Sequence, residues 1–185
     1  DKSDEKNTII RHLQVRGYQP EFLAHLLGRY RIAYNHPTQP MVSIIVPTKD
    51  QLPMLQRCVE SLLENTRYAH YELLIVDNNS ETVEACEWLA AVEQMDEAKV
   101  RVLRYPHPFN YSAINNRAAR EARGEYLVLL NNDTAIISES WLDELLNHAQ
   151  RPEVGIVGAK LLYPDGRIQH AGVILGLRGP AEHPF

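Results

Sequence analysis

Three short, largely apolar runs, at residues 42–46, 72–76 and 126–130, each end abruptly in a polar cluster. They are rich in Val, Ile and Leu, too short for helices, and bounded by turn residues, so each reads as a buried strand. The last, YLVLL, lies between Gly124 and Asn131-Asn132-Asp133-Thr134. It reads as the fully buried central strand of a parallel sheet.

Between the runs the apolar spacing changes to three and four. Leu55, Cys58, Val59, Leu62 and Leu63 mark one face of a helix, with Pro53 suited to its first turn. Ser80 reads as the N-cap of a second helix that buries Val83, Cys86 and Ala90. Residues 100–103 read as a third strand, and 112–123 as a helix stopped by Gly124. Ser138 or Ser140 caps a helix carrying Trp141, Leu142, Leu145 and Leu146, and 154–157 reads as another strand. Residues 160–163 and 168–171 flank Pro164-Asp165-Gly166, whose turn chemistry predicts a hairpin. The alternation predicts an α/β fold, a Rossmann-like three-layer α/β/α sandwich on a mainly parallel sheet.

Residues 1–40 differ. Ile9, Ile10 and Leu13, then Phe22, Leu23, Leu26 and Leu27, predict two short helices, and Pro37 and Pro40 make 36–40 a linker. The expected organisation is a helical connector over 1–40 and a ligand-binding domain over 41–185. The chain starts in a polar stretch without Met and stops without a closing element, so we expect a piece of a longer protein.

A net charge of −5 argues against a duplex nucleic-acid partner, which would want a basic face. Cys58 and Cys86 lack metal or redox spacing and favour a reducing compartment. No stretch reads as a membrane span or a signal peptide, so the expected location is cytoplasmic.

The clusters at 48–50, 77–80 and 131–134 all follow predicted strands, and in a parallel sheet those ends share one edge. Each alone is ordinary turn composition; three at equivalent ends point to a ligand crevice. G-x-G-x-x-G and G-x-x-x-x-G-K-[ST] are both absent. Without a glycine cradle, a bound diphosphate would need another neutraliser, and a metal on Asp133 supplies one. Asp77 suits the imide N–H of a uracil or thymine ring.

The segments VSIIVPT, ELLIVDNNS, FNYSAINNRAAREARGEYLVLLNNDT and GAKLLYPDGRIQHAG closely resemble the family 2 inverting glycosyltransferases of GT-A fold, over roughly residues 41–175. The branch they most resemble serves bacterial O-antigen and cell-surface polysaccharide assembly, rhamnosyltransferase-like proteins included. The resemblance implies a nucleotide-diphosphate sugar donor (UDP, dTDP or GDP) and a glycan or lipid-linked acceptor. It implies metal-assisted transfer in the cytoplasm, peripherally at the inner face of the membrane. Carried over by position, Pro47 and Thr48 border the nucleotide base and Asp77 contacts it. Asp50 and Asn79, from the same clusters, join the donor-binding set. Asn110 and Asn116 match the asparagine-bearing segment, with Arg117 near the phosphates. Asn131, Asn132 and Asp133 fall where the D-x-D motif lies. Asp133 would hold Mn²⁺ or Mg²⁺, and an amide replaces the first carboxylate, which lowers ligand charge and affinity. His170, in IQHAG, would contact phosphate or acceptor; a lone histidine in a hairpin is otherwise structural.

Inversion also needs a base for the acceptor hydroxyl. Beyond Asp133, the residues Glu139, Asp143, Glu144, Glu153, Asp165 and Glu182 read as helix, loop, turn or tail charges. None matches the family's base motif, so the catalytic base is expected beyond Phe185. His107 and His183 sit among prolines and read as loop residues. One competing reading is a non-catalytic nucleotide- or sugar-binding module. Another is a receiver-like domain, which would want an acidic pair where Pro47-Thr48 stands.

Overall fold

The computed structural model describes residues 2–26, 29–96, 98–174, 176 and 179 of the 185-residue chain, with backbone alone at 2–3, 24–26 and 29. Leu27, Glu182 and His183 lie outside the described residues. The chain divides into two compact units, residues 38–142 and residues 1–37 with 143–185.

The unit of residues 38–142 is built on four parallel strands. In chain order these are β3 (Val42–Thr48), β4 (Tyr71–Asp77), β5 (Val100–Arg104) and β6 (Tyr126–Leu129), in spatial order β5-β4-β3-β6. Ile44, Ile45, Val46, Leu73, Leu74, Ile75 and Val76 are fully buried. Successive strand side chains point to opposite faces, so both faces of β3 and β4 are covered. Each such side chain contributes about 1.5–3 kcal/mol by leaving water. On one face Ile45, Leu74 and Val76 pack with Ile114 and Ala118 of helix α4 (Tyr111–Glu121).

Helix α2 (Leu52–Glu64) buries Leu55, Cys58, Val59 and Leu62, with Pro53 in its first turn. Helix α3 (Val83–Met95) starts after Thr82 rather than Ser80 and buries Ala85, Leu89 and Val92. Val83 and Ala90 face outward and Cys86 is half-buried. The later start and a weaker amphipathic pattern explain the missed phase.

The run at 126–130 is not the central strand. Among the described residues β6 pairs with β3 alone, and Leu127 and Leu129 are 46% and 53% exposed. Apolar content cannot tell an edge strand from a central one; strand order decides. Residues 154–157 form no strand, and Ile156 is exposed.

Gly124 does not end the helix, which closes at Glu121 with Ala122 extended beyond it. Its requirement is space. A Cβ there would lie 2.5 Å from the Ser43 amide nitrogen and 2.7 Å from the Val42 carbonyl carbon. Both obstacles are backbone, so no side chain fits without moving β3.

Two polar residues sit inside the strands. Ser43 and Glu72 are register partners on β3 and β4 and are fully buried. Glu72 accepts from Ser43 Oγ (2.7 Å), the Arg123 amide (2.6 Å) and Arg101 Nη1 (3.0 Å). Ser43 Oγ accepts in turn from the Gly124 amide at 2.9 Å. This network ties the connection from α4 to β6 to the sheet. Burial pushes the Glu72 carboxyl up, and its hydrogen bonds and Arg101 outweigh that, leaving it below its ordinary value.

In the other unit, α1 (Lys2–Val15) is helical as expected, but the second predicted helix is a hairpin of β1 (Glu21–Leu26) and β2 (Arg29–Ala33). Phe22 packs edge-on against Tyr30 at 5.1 Å. The apolar residues from Phe22 onward suit either period, and cross-strand pairing wins. The division between the units falls at the start of α5 (Trp141–Ala149). The predicted C-terminal hairpin is present as β7 (Leu161–Leu162) and β8 (Ile168–His170), with Gly166 at φ 84° in its turn.

Candidate functional site

The polar residues converge on the carboxyl edge of the sheet because the strand register brings them there. Thr48 pairs with Asp77 across β3 and β4, and Asp77 with Arg104 across β4 and β5. On the other side Asn132 Nδ2 donates to Thr48 Oγ1 at 3.1 Å. One row therefore runs Arg104, Asp77, Thr48, Asn132, and all three predicted clusters meet on it.

Asp77 is almost wholly buried. Its Oδ1 accepts from the Ser80 amide at 3.0 Å, and its Oδ2 from Arg104 Nη1 at 2.6 Å. A carboxylate offers about four acceptor sites, so about two remain. Arg104 was not singled out in the sequence; its place at the end of β5, in register with Asp77, is what reveals it. Asn78, also missed, is buried beside it. Its amide donates to the carbonyls of Tyr105 (3.0 Å) and His107 (2.8 Å), fixing the loop after β5.

Asp50 has a structural task. Its Oδ1 accepts from the amides of Glu81 (2.8 Å) and Thr82 (2.9 Å) and from Thr82 Oγ1 (3.1 Å), at the entrance of α3. The Asp50 amide donates to Ser80 Oγ at 2.8 Å. The loops after β3 and β4 are thereby locked together. The Thr82 and Glu81 amides hold the Asp50 carboxyl below its ordinary value. Asp50, Gln51 and Asn79 have φ of 51°, 48° and 64°, a left-handed backbone that non-glycine residues adopt at a cost. Such strain clusters at ligand sites because the surroundings must over-determine it. Replacing Asp50 by Ala is expected to speed hydrogen exchange at the Glu81 and Thr82 amides. Acidifying the wild type through the depressed Asp50 pKa should do the same, because that contact stabilises only while the carboxylate is charged.

Pro47 is half-buried in β3, in register with Val76, and Asn79 is exposed. Asn131 and Asp133 are exposed just beyond β6. Among the described residues the Asp133 side chain makes no hydrogen bond or ion pair, and no three His, Cys, Asp or Glu side chains form a cage. One free carboxylate beside an amide fits a cation that takes its remaining ligands from phosphate and water.

Burial, with a smaller contribution from Asp133, pushes the Cys58 thiol up to about 11. Cys58 and Cys86 are both free. With an alkylating reagent at pH 8, Cys86 is expected to react in the native chain and Cys58 only after denaturation. Equal rates would show that the wall beneath Asp133 is open.

Asn110 caps α4, its Oδ1 accepting from the Ala113 amide at 2.9 Å. Asn116 and Arg117 lie on the outer face of α4, and Arg117 pairs with Glu121 at 3.0 Å. With Tyr105, His107, Phe109 and Arg120 they line an open groove of about 690 Å³. His170 belongs to the other unit, at the end of β8 opposite Leu161.

Residues 43–173 match the sequence profile of Glycosyl transferase family 2. The O-antigen biosynthesis protein RfbC of Myxococcus xanthus is 49% identical over 177 residues, which span 96% of this chain and 14% of that protein. The uncharacterized protein y4gI of Sinorhizobium fredii is 49% identical over 164 residues, 89% of this chain and 18% of its own length. The chain thus spans less than a fifth of either relative. Among solved structures, the mannosyltransferase PcManGT of Pyrobaculum calidifontis, in complex with GDP-Man and Mn²⁺, superposes with a TM-score of 0.58 at 21% identity. That match covers 64% of this chain and 35% of the other, and it shows a shared GT-A fold. Among the described residues no helix is long and apolar enough to cross a membrane.

Proposed function

Because this chain belongs to glycosyl transferase family 2, we propose that it forms the donor-binding part of an inverting glycosyltransferase of bacterial surface-polysaccharide synthesis. The donor is a nucleotide-diphosphate sugar, and the acceptor a glycan or lipid-linked glycan presented at the inner face of the membrane. The observation that carries this reading is the row at the carboxyl edge of the sheet. It holds a buried carboxylate, Asp77, next to Arg104 at one end, and the exposed carboxylate of Asp133 lies just beyond the other.

On this reading Asp77 accepts the base N–H with its remaining lone pairs, and Pro47 and Thr48 border the ring. Arg104 orients the Asp77 carboxylate through its contact at 2.6 Å. Asp133 and the Asn131 amide oxygen hold the divalent cation; the solved mannosyltransferase that shares the fold binds GDP-Man with Mn²⁺. When bound, the cation supplies Lewis-acid stabilisation of the departing diphosphate. Asn132 fixes the approach of the Asp133 loop to β3 through Thr48. The strained loops at Asp50 and Asn79 shape the wall of the site.

Calorimetric titration with UDP, dTDP and GDP, each with Mn²⁺ and with EDTA, tests the reading. One nucleotide is expected to bind in a metal-dependent way, and that nucleotide names the carrier. Binding of all three with equal affinity, unaffected by EDTA, would overturn it.

A further inference from the structure

The groove on α4 differs in charge from the sheet edge, and the difference separates their ligands. At the edge Asp77 is buried against Arg104, and the exposed carboxylate is Asp133, which meets a phosphate only through a cation. The groove is lined by Arg117, Arg120 and His107, with no carboxylate in its lining. Among the described residues Arg120 has no ion-pair partner, and Arg117 shares only Glu121 at 3.0 Å. Guanidinium groups one helical turn apart bind a carboxylate or phosphate directly, without metal.

The groove also offers flat apolar surface. Phe109 is 74% exposed, and Tyr105 and His107 stack edge-to-face at 4.9 Å in its wall. An exposed ring of this kind matches the C–H face of a pyranose. Asn116, on the same helix face, brings an amide that both donates and accepts, the pairing that vicinal sugar hydroxyls need. The wall is not loose, because Asn78 holds the carbonyls of Tyr105 and His107 from beside Asp77. At about 690 Å³ the groove has the size of an oligosaccharide subsite rather than of an ion site.

From these features we infer that the groove is a second, metal-independent subsite for an anionic saccharide, a sugar ring carrying a carboxylate or a phosphate. The ring stacks on Phe109, the anion meets Arg117 and Arg120, and Asn116 takes a hydroxyl. This deepens the proposed function, on which it rests, by adding a saccharide contact apart from the metal-dependent donor row. It moves Asn116 and Arg117 from the donor to this subsite.

The test is ligand-observed NMR with glucuronic acid, glucose 1-phosphate and methyl glucoside, all in EDTA. At least one anionic probe is expected to bind and the neutral glucoside to bind about tenfold more weakly or not at all. The better anionic probe tells a uronate source from a sugar phosphate. Arg120→Ala and Phe109→Ala, both at exposed positions, should each weaken the anionic probe about tenfold. Equal binding of the neutral sugar, insensitivity to both variants, or no binding of either anion would overturn the inference. Displacement of the probe by the metal–nucleotide complex would also overturn it, because the groove would then be part of the donor site. Donor titration of the same wild-type sample reads the proposed function separately.

Discussion

Glu72→Ala is expected to cost the fold about 3–5 kcal/mol. Glu72 is fully buried and accepts three hydrogen bonds, from Ser43, the Arg123 amide and Arg101. Truncation leaves the buried Ser43 hydroxyl and the part-buried Arg123 amide without their partner. Arg101, mostly covered, keeps its bond to the Glu121 carbonyl at 3.0 Å, which places the loss nearer the lower bound. Urea denaturation of both chains measures it, and a difference below about 1 kcal/mol would show that the network is dispensable. Glu72 also predicts the pH dependence. Its folded pKa lies below its unfolded value, so its contribution is fully present above the unfolded carboxyl pKa. It is lost as pH falls through the depressed folded value, and Glu72→Ala should flatten the acid limb of the stability curve.

That network also marks where sequence pattern stops being informative. VSIIV and ELLIV read as strands because their apolar content outweighs one Ser and one Glu. Nothing in the pattern says that those two residues face each other, since register is a property of pairing. The same limit applies at the opposite edge. Asp77, Asn132 and Asp133 were legible as polar ends of strands, and the parallel sheet brought them together. Arg104 was not legible, because a charged residue closing a strand is ordinary until the register puts it against Asp77. Asp50 and Asn110 were legible as polar loop residues but not as caps, because capping depends on which amide lies within 3 Å. The edge position of β6 escaped for a related reason: a five-residue apolar run carries no record of how many neighbours it has.

Asp133→Ala is expected to abolish the difference between nucleotide affinity in Mn²⁺ and in EDTA, with a loss of about tenfold to a hundredfold in the presence of metal. The carboxylate is exposed and makes no hydrogen bond or ion pair among the described residues, so its removal should leave the fold intact. Native alkylation of Cys86 with Cys58 protected checks that it does. The comparison variant is Asp77→Asn. It keeps the shape beside Ser80 and Arg104 but removes the charge that Arg104 faces at 2.6 Å. On the proposed division of labour, Asp77→Asn weakens the nucleotide equally with and without metal, because the base is recognised away from the diphosphate. Asp133→Ala acts only when metal is present. A matching metal dependence in the two variants would place both carboxylates on one ligand group, and the row would then have to be read as a single cation site rather than as a base end and a phosphate end.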